Sequence, residues 1–520
     1  MKSLVMRPDA QVLPLDGDGM AVNSEPGASF RISMRKLLKP PGSANLFATK
    51  LTYGKRVVAA LLAAATLPAF AAYSQSAGIP IEHFIFIIQE NHSFDNYFGT
   101  YPNAHGIPPG TALADYPGGP LVNKPFHLIA NHIPHDLPHG WVSYRVAYHN
   151  GAMDGFMWAE YRQASKYYGA GLPQPTPDPN LIKIIRRKAP AENPVTATFR
   201  DGEFMSPSGF VDDEDDDAPW VGDANEELAE AEPAPSGSPN PAKRPSWVKY
   251  TLSYMDGTNI PNYWTYAHDY TLCDEFFASV TSASLANHMY NVAGQSGDLI
   301  KNYKIGRRNI IDFEFKSVIQ LLGNANITWR YYIGQGDPHL EGSWNPIPGF
   351  RRYTKSTSSI EVDPHLATLA DFHKNVEEQT LPQVCWITPP KYKSEHPPFE
   401  VREGMWYVTD LVNAVMRSPY WNNCAIIIMW DESGGFYDHV TPPQVDNLGF
   451  GFRVPAIVIS PWSRSGVVVH TQYDQTSPLA LLETKFGLPA LTPRDGSSNS
   501  MLDCFDFAQT PLPPHIILKP

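Results

Sequence analysis

The stretch Ile81–Gln89, IEHFIFIIQ, runs without a break into Glu90-Asn91-His92-Ser93-Phe94-Asp95. β-Branched and aromatic side chains dominate it on both alternating faces, which predicts a strand buried inside a sheet. The apolar run ends on a carboxylate and an amide, so polar groups stand at the strand's carboxyl end, where open α/β sheets place ligands and reacting groups. A second segment repeats the pattern far along the chain: Cys424–Trp430, CAIIIMW, leads directly into Asp431-Glu432-Ser433-Gly434-Gly435. Val384–Ile387 and Val454–Ile459 read as further buried strands, and Met405–Arg417 as a helix that stops before Ser418-Pro419. Strands alternating with helices predict an α/β fold with a mainly parallel central sheet.

The composition agrees. Of 520 residues 42% are hydrophobic and 18% charged, enough apolar material for a sizeable core, which excludes wholesale disorder. Fifty prolines against 37 glycines indicate long loop insertions between core elements. The formal net charge of −13 argues against a nucleic-acid partner. Its source is local: residues 201–235 hold 13 acidic side chains and no Lys or Arg, leaving the rest of the chain formally neutral. The segment of about 201–245, acidic and then rich in Pro and Ser, reads as a solvated insert that carries no chemistry, since it lacks the alternating ligands of a calcium loop. Four cysteines are too few for a disulfide scaffold and form no Cys-x-x-Cys pair that would suggest a cysteine-held structural zinc; Cys385 and Cys424 lie in apolar runs and read as buried thiols.

Lys55-Arg56 precede Val57–Ala72, a run of small and apolar residues that contains Ala69-Phe70-Ala71. This basic, apolar, small order predicts an export signal over residues 57–75, after an extension over 1–56, because the run is shorter than the ~20 apolar residues of a membrane span. An exported protein with one catalytic domain over 78–510 is the expectation.

Hard cations take oxygen ligands, and a parallel sheet gathers the carboxyl ends of its strands on one rim. Glu90-Asn91 and Asp431-Glu432 are therefore suited to share one divalent metal ion of unspecified identity; the competing reading is that each pair caps a following helix. Between them lies FFASVTSASLANHMYNVAGQSG, Phe276–Gly297, in which Ser284 precedes Asn287-His288 in what reads as a loop of small residues. A serine beside a cation is a potential alkoxide nucleophile, although most loop serines only close turns. Histidines gather at His132, His135 and His139, and again at His396 and His439 in proline-flanked loops, where they suit contacts to phosphoryl oxygens or protonation of a leaving group.

QENHSFDNYFG (Gln89–Gly99), MDGF (Met153–Phe156), IPNYW (Ile260–Trp264), SEHPP (Ser394–Pro398), WDESGGFYDHVTPP (Trp430–Pro443), GFRVPAIVISPWSRSG (Gly451–Gly466) and GLPALTPRD (Gly487–Asp495) occur in one order over most of the chain. Together they resemble the bacterial phospholipase C and acid phosphatase A family of phosphoesterases. The resemblance implies an alkaline-phosphatase-like α/β/α sandwich and hydrolysis of phospholipids or small phosphate esters, with transient contact to a membrane surface. It makes Glu90, Asn91, Asp431 and Glu432 metal ligands, with Asn91 also on the phosphate. Ser284 becomes the nucleophile and a ligand, His139 and His396 line the phosphate pocket, His288 and His439 join the catalytic candidates, and Asn287 is a substrate-binding amide. The nucleophile block departs from the family pattern: Ser282-Ala283 and Ala286 stand where Gly-Pro and Pro are usual, which leaves Thr281 and Ser282 as alternative nucleophiles. A phosphate- or headgroup-binding surface protein without turnover is the second class of function that the residues leave open.

Overall fold

A computed structural model of the chain describes residues 78–116, 118–160, 182–186, 247–302, 309–334, 344–350 and 364–519, with 182–186 and 309–312 described by backbone alone. The expected export signal and the acidic insert lie outside the described residues.

Eight strands form the central sheet: β1 (His83–Gln89), β2 (Thr271–Cys273), β3 (Trp329–Ile333), β4 (Leu366–Thr368), β5 (Val384–Thr388), β6 (Cys424–Trp430), β7 (Ala456–Ile459) and β8 (Val467–Val469). Their spatial order is β8-β2-β7-β6-β1-β5-β3-β4. Only β7 runs against the others, pairing antiparallel with both β6 and β2, so the sheet is mainly parallel as the sequence predicts. Every residue of β5 and β6 is buried. That is the burial of a sheet covered on both faces, and it explains why these segments read as continuous apolar runs rather than alternating ones. The expected buried thiols Cys385 and Cys424 are fully enclosed, as are Cys273 and Cys504, whose sulfurs lie 3.6 Å apart.

Register positions the chemistry. β1 pairs with β6 from His83↔Cys424 to Gln89↔Trp430, so the residues that follow, Glu90 and Asp431, emerge side by side on one rim. The Asp431 amide donates to the Gln89 carbonyl at 2.9 Å and the Glu90 amide to the Ser394 carbonyl at 3.0 Å, which brings the segment after β5 to the same place.

Helices cover the sheet. α1 (Phe94–Phe98) follows β1 at once, with Ser93 Oγ capping the Asn96 amide at 3.1 Å. Glu90 and Asn91 do not cap it, and no helix follows Asp431-Glu432. α2 (Val401–Met416) begins a turn earlier than its apolar pattern suggests and buries Val401, Met405, Val408, Val412 and Val415 along one stripe. The segment around Ser284 corrects the loop expectation, because Ser284 is the first residue of a helix, Ser284–Ala293, whose ten residues are all buried. Its polar residues Ser284, Asn287, His288 and Asn291 recur at i, i+3, i+4 and i+7, so the segment does carry a helical period, with its polar face turned into the interior rather than to solvent. Among the described residues no helix is long and apolar enough to cross a membrane.

Candidate active site

The strand-end residues meet the Ser284 helix beneath the rim. Ser284 Oγ donates to Glu90 Oε2 at 3.1 Å, and His288 Nε2, one helical turn on, lies 2.9 Å from Glu90 Oε1 and 4.0 Å from Asp431 Oδ2. The spacing of four residues places the serine and the histidine on the same helix face. Glu90, His288 and Asp431 each offer a ligand atom within 4.8 Å of the others, and all three side chains are fully buried.

Asn91 sits in a left-handed conformation (φ 59°), and its amide hydrogen donates to Asp431 Oδ1 at 2.9 Å. A Cβ on Gly434 would lie 2.4 Å from the Asn91 carbonyl oxygen. Only glycine, itself at φ 61°, lets the Asp431-Glu432-Ser433-Gly434 turn approach so closely. Glu432 Oε2 accepts the Gly434 amide at 2.6 Å, while its Oε1 faces His139 Nε2 at 3.9 Å.

His139 begins a second group with Asp136 and His396, again with ligand atoms within 4.8 Å of one another. Each histidine ring is set by its own backbone: His139 Nδ1 donates to the Leu137 carbonyl and His396 Nδ1 to the Pro397 carbonyl, both at 2.6 Å, which turns Nε2 of one toward Glu432 and Nε2 of the other toward Asp136.

Three carboxylates share this enclosed space, and among the described residues their ion pairs are with histidine alone. Burial pushes the Asp431 and Glu432 carboxyls up to about 7 and raises Glu90 well above the carboxylate range, with the neighbouring carboxylates adding to the shift in Glu90 and Asp431. Burial also drives His288 down to about 4, so the imidazole facing Glu90 is neutral near pH 7. Asp431 Oδ2, Glu432 Oε1 and both polar atoms of the Asn91 amide are buried without a hydrogen-bond partner. Buried orphan atoms of this kind are costly unless a bound group satisfies them. Three acidic oxygens, an amide oxygen and an imidazole form a donor set that fits a divalent cation.

The alternative nucleophiles point elsewhere. Thr281 Oγ1 donates to the Phe450 carbonyl at 2.9 Å and Ser282 Oγ to the Ile300 carbonyl. The Asn287 amide is also committed to the chain: it accepts from the Val280 amide at 3.0 Å and donates to the Ser282 carbonyl at 2.9 Å. Asn287 thus holds the turn that presents Ser284, with both polar atoms of its side chain bonded to the chain instead of standing free for the expected substrate contact. Of the early histidines only His139 enters the site; His132 pairs with Glu400 at 2.8 Å and the His135 ring lies tilted against Trp247 at 5.0 Å.

His439 stands in a third group. Its Nδ1 lies 2.8 Å from Asp95 Oδ2, and Arg453, wholly buried, bonds both Asp95 and Asp438. Arg453→Met, similar in bulk but uncharged, would strand the two carboxylates. The expected loss is about 3–5 kcal/mol of stability, read as a lowered melting temperature; an unchanged one would refute the ion-pair account.

Sequence reasoning missed Asp136, Glu160 and Glu395, although Asp136 and Glu395 are each next to a histidine that it had singled out. Glu160 is buried close enough to Asp136 that burial and that charge together raise its carboxyl well above the usual range. Glu395 is a hub: it accepts from Tyr97, Tyr263, Trp430 and Gln89 at 2.5 to 3.1 Å, and burial pushes it up to about 7 against those donors. The His92 ring turns back to the Glu395 carbonyl at 3.0 Å, so the histidine of the ENHSFD motif braces the SEHPP loop.

The phosphoesterase family model matches residues 81–172 and 200–489. The chain is 27% identical over 493 residues to phospholipase C A of Mycobacterium tuberculosis, covering 83% of this chain and 78% of that protein. It is 28% identical over 331 residues to the hemolytic phospholipase C of Pseudomonas aeruginosa, covering 52% and 44%. Among solved structures, a protein in the alkaline phosphatase superfamily from Vibrio parahaemolyticus aligns with TM-score 0.31 and 13% identity over 46% of this chain and 63% of that one, a likeness too slight to add to what the sheet itself shows. This chain belongs to the phosphoesterase family.

Proposed function

We propose that this member of the phosphoesterase family is a metal-assisted hydrolase of phosphate esters, with Ser284 as nucleophile and phospholipids as the substrate class. One observation carries the reading: of the three hydroxyls over residues 281–284, only that of Ser284 is aimed at Glu90, inside the group of buried carboxylates. The phospholipid assignment rests on the relatives named phospholipase C.

Glu90, Asn91, Asp431 and Glu432 would hold the cation, which supplies positive charge that lowers the serine's pKa and offsets charge on the phosphate. The Ser284 hydroxyl already donates to Glu90 Oε2, so its proton has an acceptor as Oγ attacks phosphorus. The unpartnered Asn91 amide N–H groups are available to a non-bridging oxygen. As the Oγ–P bond forms, the bond to the leaving alkoxide breaks, and His139, between Asp136 and Glu432, delivers the proton that oxygen needs. His396, whose pKa burial lowers, lines the pocket beside His139 at a ring separation of 5.5 Å. Water then attacks phosphorus and gives its proton to the His139 left deprotonated by the first step, the Oγ–P bond breaks, and the proton held by Glu90 returns to Oγ to restore the serine hydroxyl.

The test is hydrolysis by the purified full chain of phosphatidylcholine, sphingomyelin and p-nitrophenyl phosphate, before and after chelation. The expected result is release of phosphocholine from the lipids, lowered by roughly 10²-fold or more on chelation and restored by a divalent ion. A metal-replete protein that binds phosphate and cleaves none of the three would support the non-catalytic reading instead. Export is part of this proposal and rests on the basic, apolar and small order of residues 55–75.

A further inference from the structure

Two strands along the same rim from β6, a separate group of side chains meets at the ends of β2 and β8. These strands are parallel neighbours with Cys273 opposite Val469, so the next residues, Asp274 and His470, emerge together. His470 Nδ1 lies 2.9 Å from both carboxylate oxygens of Asp274. His105, from the loop after α1, brings its own Nδ1 within 4.0 Å of Asp274 Oδ2 and 3.0 Å of Glu275 Oε1. The two imidazoles stack at 4.4 Å and 18°, and one nitrogen of each together with an Asp274 oxygen forms a triplet within 4.8 Å.

We propose that His105, Asp274 and His470 form a second metal site, for a borderline transition ion such as Zn²⁺, apart from the Glu90–Asp431 centre and independent of the catalytic reading. Two imidazoles and one carboxylate are the donor set of zinc, copper and nickel rather than of calcium or magnesium, which prefer oxygen alone. Bonds of ~2.0–2.1 Å to a tetrahedral zinc put ligand atoms roughly 3.4 Å apart, within the range that this triplet spans. Both imidazoles turn the same nitrogen toward one carboxylate, and the Glu275 carboxylate beside His105 offers a further oxygen.

The backbone around the site is held before any ion arrives. The His105 amide donates to Asp274 Oδ2 at 2.8 Å, and Arg453 Nη1 donates to the carbonyls of both His105 and Asp274, at 2.9 and 2.8 Å. Asp274 is buried, whereas the two histidine side chains are about half exposed, so an ion from solvent reaches the nitrogens directly.

The test strips the full-length protein with chelator, equilibrates it with Zn²⁺ alone at low concentration, removes unbound ion and counts zinc per chain by elemental analysis. Wild type is expected to retain one zinc more than H105A/H470A, E90Q/D431N is expected to keep the zinc that H105A/H470A loses, and H105A/H470A is expected to keep full hydrolytic activity. H105Q, at a position whose side chain is about half exposed, should weaken this zinc by about tenfold or more. Equal zinc in wild type and folded H105A/H470A, or unchanged affinity in H105Q, would overturn the site.

Discussion

Ser284→Ala is expected to leave a folded, metal-binding protein whose turnover falls by roughly 10³-fold or more, the scale on which removal of a nucleophile is felt in hydrolases that use one. The side chain removed is small, and its one hydrogen bond in the structure, to Glu90 Oε2, contributes only about 1 kcal/mol to stability. A purely structural serine would therefore give a slightly less stable enzyme with nearly normal rate. Ser282→Ala is the control. Its hydroxyl is tied to the Ile300 carbonyl, so its loss should change stability by a similar amount and turnover by no more than a few-fold. If Ser282→Ala abolished turnover while Ser284→Ala retained it, the nucleophile would be misplaced by two residues.

The second large effect is expected at the paired strand ends. Asp431→Asn keeps the shape of the side chain and the oxygen that accepts the Asn91 amide, but removes one of the three buried ionisable carboxyls. Turnover should fall by about 10²-fold or more, and the metal needed for half-maximal activity should rise. Glu90→Gln should do the same, and additionally turn one of the two oxygens that face Ser284 and His288 into an amide N–H donor. Because the raised pKa values of Asp431 and Glu432 reflect burial without a positive partner, removing one charge should make the metal-free protein no less stable, and somewhat more so. Activity that survived both substitutions and exhaustive chelation would take the cation out of the mechanism.

Much of the sheet was legible because its central strands are buried on both faces. IEHFIFIIQ and CAIIIMW carry that burial in their composition, and the carboxylates that end them mark the rim. The Ser284 helix was missed because Ser282-Ala283-Ser284 looks like a turn, although Ser284, Asn287, His288 and Asn291 recur at helical spacing on what proves to be a buried polar face. Roles that depend on which way a side chain points were also hidden. Asn287 shares a motif with Ser284 and His288, yet its amide is folded back on the turn, and His439 shares a motif with Asp431 yet belongs with Asp95 and Arg453. Glu395 reads as the polar neighbour of His396, and only the packing of Tyr97, Tyr263 and Trp430 around it shows why a carboxylate is needed there. The pairing of Asp274 with His470 depends on the β2–β8 register, to which neither segment alone gives a clue.

The most direct test of the account traps the intermediate. Wild-type protein turning over p-nitrophenyl phosphate is quenched in acid, digested and sequenced by mass spectrometry. The account predicts one phosphopeptide, with phosphate on Ser284 and none in the Ser284→Ala protein. Phosphate on Thr281 or Ser282, or turnover at the wild-type rate with no phosphate bound to the chain at any quench time, would contradict it, and the latter would leave direct attack by water as the mechanism.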